Sequence, residues 1–153
     1  MEYTELLEKQ IIGRLKVDNP WWTEGVIPEY YSKMTPRMYL DIFYPLVRDM
    51  GLRRAMILMG PRRVGKTVML FHTIDRLIAE GVSPQNIIYI SVETPIYNKI
   101  ALEQLFTLSK QILGKSGSTS EEFWVMFDEI QYLKNWELHL KSLVDTYRNV
   151  KFV

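Results

Sequence analysis

The chain has 153 residues, the length of one ordinary domain that buries roughly 70% of its unfolded surface. Its 19 Lys and Arg against 18 Asp and Glu leave a net charge of +1, so no global basic field argues for nucleic acid or an acidic membrane. It has no cysteine, which excludes disulfides, thiolate catalysis and thiolate metal sites, and no stretch approaches the roughly 18 apolar residues of a membrane span; a cytoplasmic protein is expected.

Residues 2–15 space Tyr3, Leu6, Leu7, Ile11 and Leu15 as a helix would. The following "VDNPWWTEGVIPEYYSKMTP" carries three prolines together with Trp21, Trp22, Tyr30 and Tyr31. The favoured reading is an arm held on the core by its aromatics; stacking on a base or contact with a partner is the alternative. Thr35 and Pro36 open a helix to about residue 50, with Pro45 expected to kink or split it and Gly51 to end it. Residues 1–52 thus read as a helical or irregular N-terminal arm before a core at 53–153.

From Arg54 the pattern changes. "AMILM" (55–59) reads as a strand buried on both faces, followed by a helix over 67–80 closed by Gly81. "NIIYISV" (86–92) is a second buried strand, 98–113 a helix, "GKSGSTSEE" a flexible polar loop, and "FWVMF" (123–127) a third strand. Asn135 is expected to cap a last helix, with Trp124 and Trp136 in the core. "VKFV" reads as the opening of a fourth strand, which suggests a fragment of a larger sheet. The alternation predicts an α/β fold with a parallel sheet sandwiched by helices.

Between the first strand and its helix stands Gly60-Pro61-Arg62-Arg63-Val64-Gly65-Lys66-Thr67. Glycines allow the backbone to turn successive N–H groups around a phosphate, and the helix N-terminus adds its own free N–H groups, Val68 included. Lys66 is placed to reach the β- and γ-phosphates, and Thr67 offers a hydroxyl to Mg²⁺. Gly114-Lys115-Ser116 ends the same way but follows a helix and has Ser109 where the first glycine should be, so it is only a loop. "FWVMFDEI" supplies the complement: Asp128 at the carboxyl end of a buried strand, for the metal, and Glu129 beside it as a base for water. His72 and His139 have no second ligand at metal spacing.

An extra strand in sequence between the two motifs, with glutamate after aspartate, resembles the additional-strand, catalytic-glutamate branch of P-loop NTPases. "GPRRVGKT", "FDEIQ" and "NWELHLKSLVD" leading to "VKFV" together resemble a family of prokaryotic AAA-type ATPases, many of whose members carry a nuclease-like C-terminal domain. The resemblance implies ATP and Mg²⁺ as cofactors, with phosphate binding by Gly60, Pro61, Arg62, Arg63, Val64, Gly65, Lys66, Thr67 and Val68. It implies metal binding by Thr67 and Asp128, and hydrolysis by Glu129 with Lys66. Gln131 would sense the γ-phosphate or pack. Arg62 reads as a structural tie to nearby acids and Arg63 as facing solvent or a partner, with a transition-state finger less favoured. Arg37 and Tyr39 are candidates for the adenine side.

The leading expectation is Mg²⁺-dependent ATP hydrolysis coupled to an unknown effector, with weak turnover in this fragment alone. A nucleotide-gated switch or scaffold with little intrinsic turnover is the first alternative. An ATP-driven nucleic-acid or defence-related protein acting through a C-terminal domain is the second. A homo-oligomer or a protein partner stays open, nucleic acid is undecided, and no membrane partner is expected.

Overall fold

Helix α1 (Glu2–Asp18) runs one turn beyond its apolar spacing. Arg14 pairs with Asp18 at 3.0 Å across that last turn, and the Asn19 side chain donates to the Leu15 carbonyl at 2.8 Å. Two single-turn helices follow, α2 (Trp21–Glu24), closed by the left-handed Gly25, and α3 (Glu29–Ser32). The structure, a computed structural model, describes residues 2–117 and 120–153, so part of the polar loop expected at 114–122 lies outside the described residues.

Helix α4 (Leu40–Arg48) starts later than Thr35-Pro36 suggests, after a turn in which Thr35 caps nothing, and it ends before Gly51. Pro45 lies inside it without splitting it, because Phe43, Tyr44 and Val47 are buried and hold that face to the core. Helix α5 (Lys66–Ala79) ends as expected. Gly81 sits at φ 97°, and the Val82 N–H donates back to the Leu77 carbonyl at 3.0 Å. Then come β1 (Ile87–Ser91), α6 (Leu102–Ile112), β2 (Phe123–Asp128), α7 (Trp136–Thr146) and β3 (Val150–Phe152). Asn135 precedes α7 in a left-handed conformation, φ 58°, and makes no side-chain cap.

The three strands form a parallel sheet in the order β1-β2-β3, flanked by helices, with Ser91 opposite Asp128 and Val125 opposite Phe152. "AMILM" departs from the expectation of a doubly buried strand. It makes a single backbone bond to the sheet, Met56 N–H to the Phe152 carbonyl at 2.9 Å, and Ile57 and Met59 are 53% and 85% exposed. Carbonyls of successive strand residues point to opposite edges: Val153 bonds to β2, so Phe152 faces away from it. The run 55–59 therefore flanks β3 on its outer side and has no strand beyond it among the described residues. In space β3, not β1, stands between the run 55–59 and β2.

The outer edge of β1 is finished by side chains from the arm. Asn19 donates to the Tyr89 carbonyl at 2.9 Å and accepts from the Tyr89 N–H at 2.7 Å, a strand-like pair made by one amide. Both indole N–H groups of Trp21 and Trp22 donate to the Ile87 carbonyl, at 2.9 and 2.8 Å. Helix α4 is tied down similarly: Trp124 Nε1 donates to the Val47 carbonyl at 3.0 Å. The buried Lys151 Nζ donates to the carbonyls of Asp49 and Leu52 at 3.0 and 2.7 Å, and burial lowers its pKa. Arm and sheet share one continuous apolar core running from Leu15, Trp21 and Val47 to Leu77, Phe106 and Phe152.

Candidate functional site

The loop Gly60–Gly65 joins the run 55–59 to α5, and two left-handed residues shape it: Arg63 at φ 64° and Gly65 at φ 89°. Such reversals turn neighbouring N–H groups toward one side, the concavity an anion fills. Arg63 adopts this conformation without being glycine, which costs about 1 kcal/mol and was not legible in its identity. Gly65 suits its left-handed backbone, and a Cβ there would stand 2.8 Å from Arg37 Nε, which would have to swing aside. At Gly60 a Cβ would meet Val64 Cγ2 at 3.1 Å, so Val64 packs directly on the first glycine.

Lys66 opens α5 and folds its ammonium back on the carbonyls of Gly60 and Pro61, the latter at 3.2 Å. Neutral carbonyls are weaker acceptors than a phosphate, so this ammonium exchanges partners readily. Val68 completes the first turn of α5. One residue earlier, Thr67 Oγ1 donates to Asp128 Oδ2 at 2.8 Å. The two motifs, 61 positions apart, thus meet in one hydrogen bond.

Asp128 is buried at the carboxyl end of β2, and both of its oxygens accept hydrogen bonds. Oδ1 accepts the Glu129 N–H at 3.1 Å, while Oδ2 takes a second donor, the Tyr89 hydroxyl, at 2.6 Å. Tyr89 lies on β1 opposite Met126, diagonal to Asp128 on the same sheet face. Burial, then the Asp128 charge and the hydrogen bond, push the Tyr89 pKa far above its ordinary value, so the phenol keeps its proton and acts as a donor. Its ring packs against Phe71 at 4.8 Å, and Phe71 stacks on Tyr31 at 4.0 Å. Sequence reading missed this role. The available signal was a polar atom inside an otherwise apolar buried strand, which demands a partner.

Glu129 follows in a left-handed conformation, φ 55°, a costly geometry of the kind that clusters where function constrains the chain. Gln131 Nε2 donates to its carboxylate, so Gln131 touches the glutamate itself. Arg62 donates to the Tyr132 hydroxyl at 3.1 Å and not to the acid expected for it. A cavity of about 360 Å³ lies among these groups, lined by Arg62, Arg63, Lys66, Thr67 and Glu129, with Glu93 from the turn after β1 on its wall.

Other candidates sort away from the loop. Trp21 and Trp22 are buried under β1, and Tyr31 stacks inside the arm contact, so none of the three faces the cavity, while Tyr30 is 70% exposed. Trp124 is core, but Trp136 is only partly buried and lines an apolar groove beside Gly60 and Leu140. His72 Nε2 is hydrogen-bonded to the Tyr31 carbonyl at 2.7 Å, and His139 is exposed. Tyr39 is about half exposed at the start of α4, whereas Arg37 lies on the phosphate loop.

The donor set suits Mg²⁺. Thr67 and Asp128 offer hard oxygens, and among the described residues no group of three or more His, Cys, Asp or Glu could hold a metal by itself. Magnesium takes one or two protein oxygens and completes its shell with water and substrate phosphates, unlike zinc, which needs a full protein set. No helix among the described residues is long and apolar enough to cross a membrane.

Comparison with known proteins agrees with this geometry. A family model described as "AAA domain" matches residues 52–153. An uncharacterized protein of Haemophilus influenzae is 31% identical over 87 residues, covering 57% of this chain and 21% of its own length. Two proteins of Methanocaldococcus jannaschii also match. "Uncharacterized protein MJ1637" is 31% identical over 119 residues, covering 76% of this chain and 25% of its own. "Uncharacterized protein MJ1544" is 32% identical over 94 residues, covering 61% and 19%. The chain therefore spans about a fifth to a quarter of the length of these relatives. No solved structure gives a significant match. With a phosphate-type loop meeting a strand-end aspartate, and a family match across that whole region, the chain belongs to the AAA domain family, whose members are nucleotide-binding and ATPase-like.

Proposed function

We propose that this domain binds ATP with Mg²⁺ and hydrolyses it, with residues 1–52 serving as an arm on a core at 53–153. The observation that carries the reading is the Thr67–Asp128 hydrogen bond at the mouth of the loop. It poises a hydroxyl and a carboxylate for one cation beside the phosphate-binding stretch Gly60, Pro61, Arg62, Arg63, Val64, Gly65, Lys66, Thr67 and Val68, in which every residue but Pro61 has a backbone N–H to offer. Lys66 releases its carbonyls for the β- and γ-phosphates. Bound Mg²⁺ would be held by Thr67 and Asp128 and would neutralise charge on the phosphates. Glu129 takes a proton from water as the water oxygen bonds to the γ-phosphorus. The bond from that phosphorus to the β,γ-bridging oxygen breaks, and ADP leaves with the electron pair. What hydrolysis drives would lie in the effector to which the domain is coupled, in a cytoplasmic setting.

Lys66→Ala should abolish nucleotide binding, measured by titration with a fluorescent ATP analogue. Glu129→Gln should preserve binding and remove most turnover; equal turnover in that variant would sink the assigned mechanism. A second reading, a switch with slow intrinsic hydrolysis, is favoured by the Gln131 amide, which occupies a carboxylate oxygen that water would need. Gln131→Ala should raise basal turnover under that reading and leave it unchanged or lower under the first.

A further inference from the structure

Arg37 belongs to the turn before α4, in the arm, yet its guanidinium rests on the phosphate loop. Its Nε, Nη2 and Cζ lie 2.8, 2.9 and 3.1 Å from where a Cβ of Gly65 would be. A Cβ at position 65 would push the flexible guanidinium aside, so glycine there leaves room for the arginine in this position as well as for the left-handed turn. Among the described residues the Arg37 guanidinium has no hydrogen bond and no ion pair, although the Arg37 carbonyl accepts the Leu40 N–H at 3.0 Å and Asp41 pairs with Arg76 at 3.1 Å. An exposed guanidinium with five free donors gains little by lying against a glycine.

The charges around it suit an anion. Lys66 and the N-terminal end of α5, equivalent to about half a positive charge, stand beside the same glycine. Arg62 and Arg63 lie on the same loop. Glu93, Glu129 and Asp128 offset part of this charge, and the four cations with the helix start leave an excess of positive charge that an anion of several charges would complement. The cavity lined by Glu129 includes Gly65 but not Arg37 among its walls, so Arg37 approaches Gly65 from outside that cavity.

We propose that Arg37 is a phosphate-binding residue delivered in cis by the N-terminal arm, contacting the α- and β-phosphates of the nucleotide from the side of Gly65 opposite Glu129. This rests on the nucleotide-binding reading of the loop. The arm then does more than close the sheet: nucleotide and arm stabilise each other, because each supplies the other's countercharge.

The test compares Arg37→Ala, Arg37→Lys and Lys66→Ala by equilibrium binding of ATP and ADP at two salt concentrations. Loss of all binding in Lys66→Ala with retained folding establishes the loop as the nucleotide site; binding that survives Lys66→Ala overturns that parent reading, whatever Arg37 does. Given that control, Arg37→Ala should weaken ATP and ADP by the same factor, roughly tenfold, and flatten the salt dependence. Arg37→Lys should restore part of the affinity, which a merely packing role would not require. Unchanged affinity in Arg37→Ala overturns the proposal. A loss confined to ATP overturns the α,β placement. Circular dichroism melts without nucleotide, unaltered by the substitution, keep a folding defect from imitating the expected result.

Discussion

The two flanks of the sheet are closed in different ways. At β1, the arm supplies Asn19, Trp21 and Trp22, and every one of these side chains ends on a backbone group of Ile87 or Tyr89. Beyond β3, the run 55–59 leans on the sheet through the Met56 N–H alone and leaves Ile57 and Met59 exposed. An edge strand has a row of polar groups that must be met by something, and side chains satisfy it here as well as a strand would. The difference teaches that the closed flank supports Asp128, the carboxylate proposed for the metal, through Tyr89 on β1. The loosely held flank leads into the phosphate loop, which must admit a ligand.

That contrast is measurable. The largest effect is expected in native-state hydrogen exchange. The Tyr89 amide, bonded to Asn19, should exchange more slowly than the amides of 57–59 by about three orders of magnitude, since local opening energies run from near zero to the global value. Comparable rates would erase the distinction. Next, Trp21→Ala should lower stability by about 3–5 kcal/mol in denaturant titration, because it empties a fully buried site and removes an edge donor. Asn19→Ala should cost about 2–3 kcal/mol, since it leaves the buried N–H and C=O of Tyr89 without that amide. Met56→Pro, which deletes the sole backbone bond of the open flank, should cost only about 1 kcal/mol. A cost above that of Asn19→Ala would reverse the ranking of the two flanks. The smallest effect is expected at Tyr97, whose buried hydroxyl has no hydrogen-bond partner among the described residues. Tyr97→Phe should change stability by no more than about 0.5 kcal/mol, or raise it.

Much of the candidate site is written locally. A phosphate loop needs glycine at fixed steps after an apolar run and before an amphipathic helix, and "GPRRVGKT" satisfies each condition within a few residues. Asp128 was equally legible, because an acid ending a run of apolar residues has no place but a strand end. The positive φ of Arg63 and Glu129 was not, since neither residue type announces a left-handed backbone as glycine, or less strongly asparagine, does. "AMILM" misled for a related reason: apolar composition reports a tendency to be buried, while actual burial depends on having neighbours on both sides.

By itself the sequence determined the alternation of strands and helices, the phosphate-type loop, and the acid pair that answers it, because each depends on residue identity over a short span. Only the tertiary structure decided what those parts touch. It brought Tyr89 onto Asp128, Asn19 onto the edge of β1, Gln131 onto Glu129 and Arg37 onto Gly65. The Tyr89, Asn19 and Arg37 contacts join residues 28 to 70 positions apart, and no local propensity carries them. The Tyr89 and Asn19 contacts arise when the sheet's parallel register and the packing of the arm bring a donor within reach of a group that cannot remain unpaired, while Arg37 is carried to Gly65 by the packing of the arm alone.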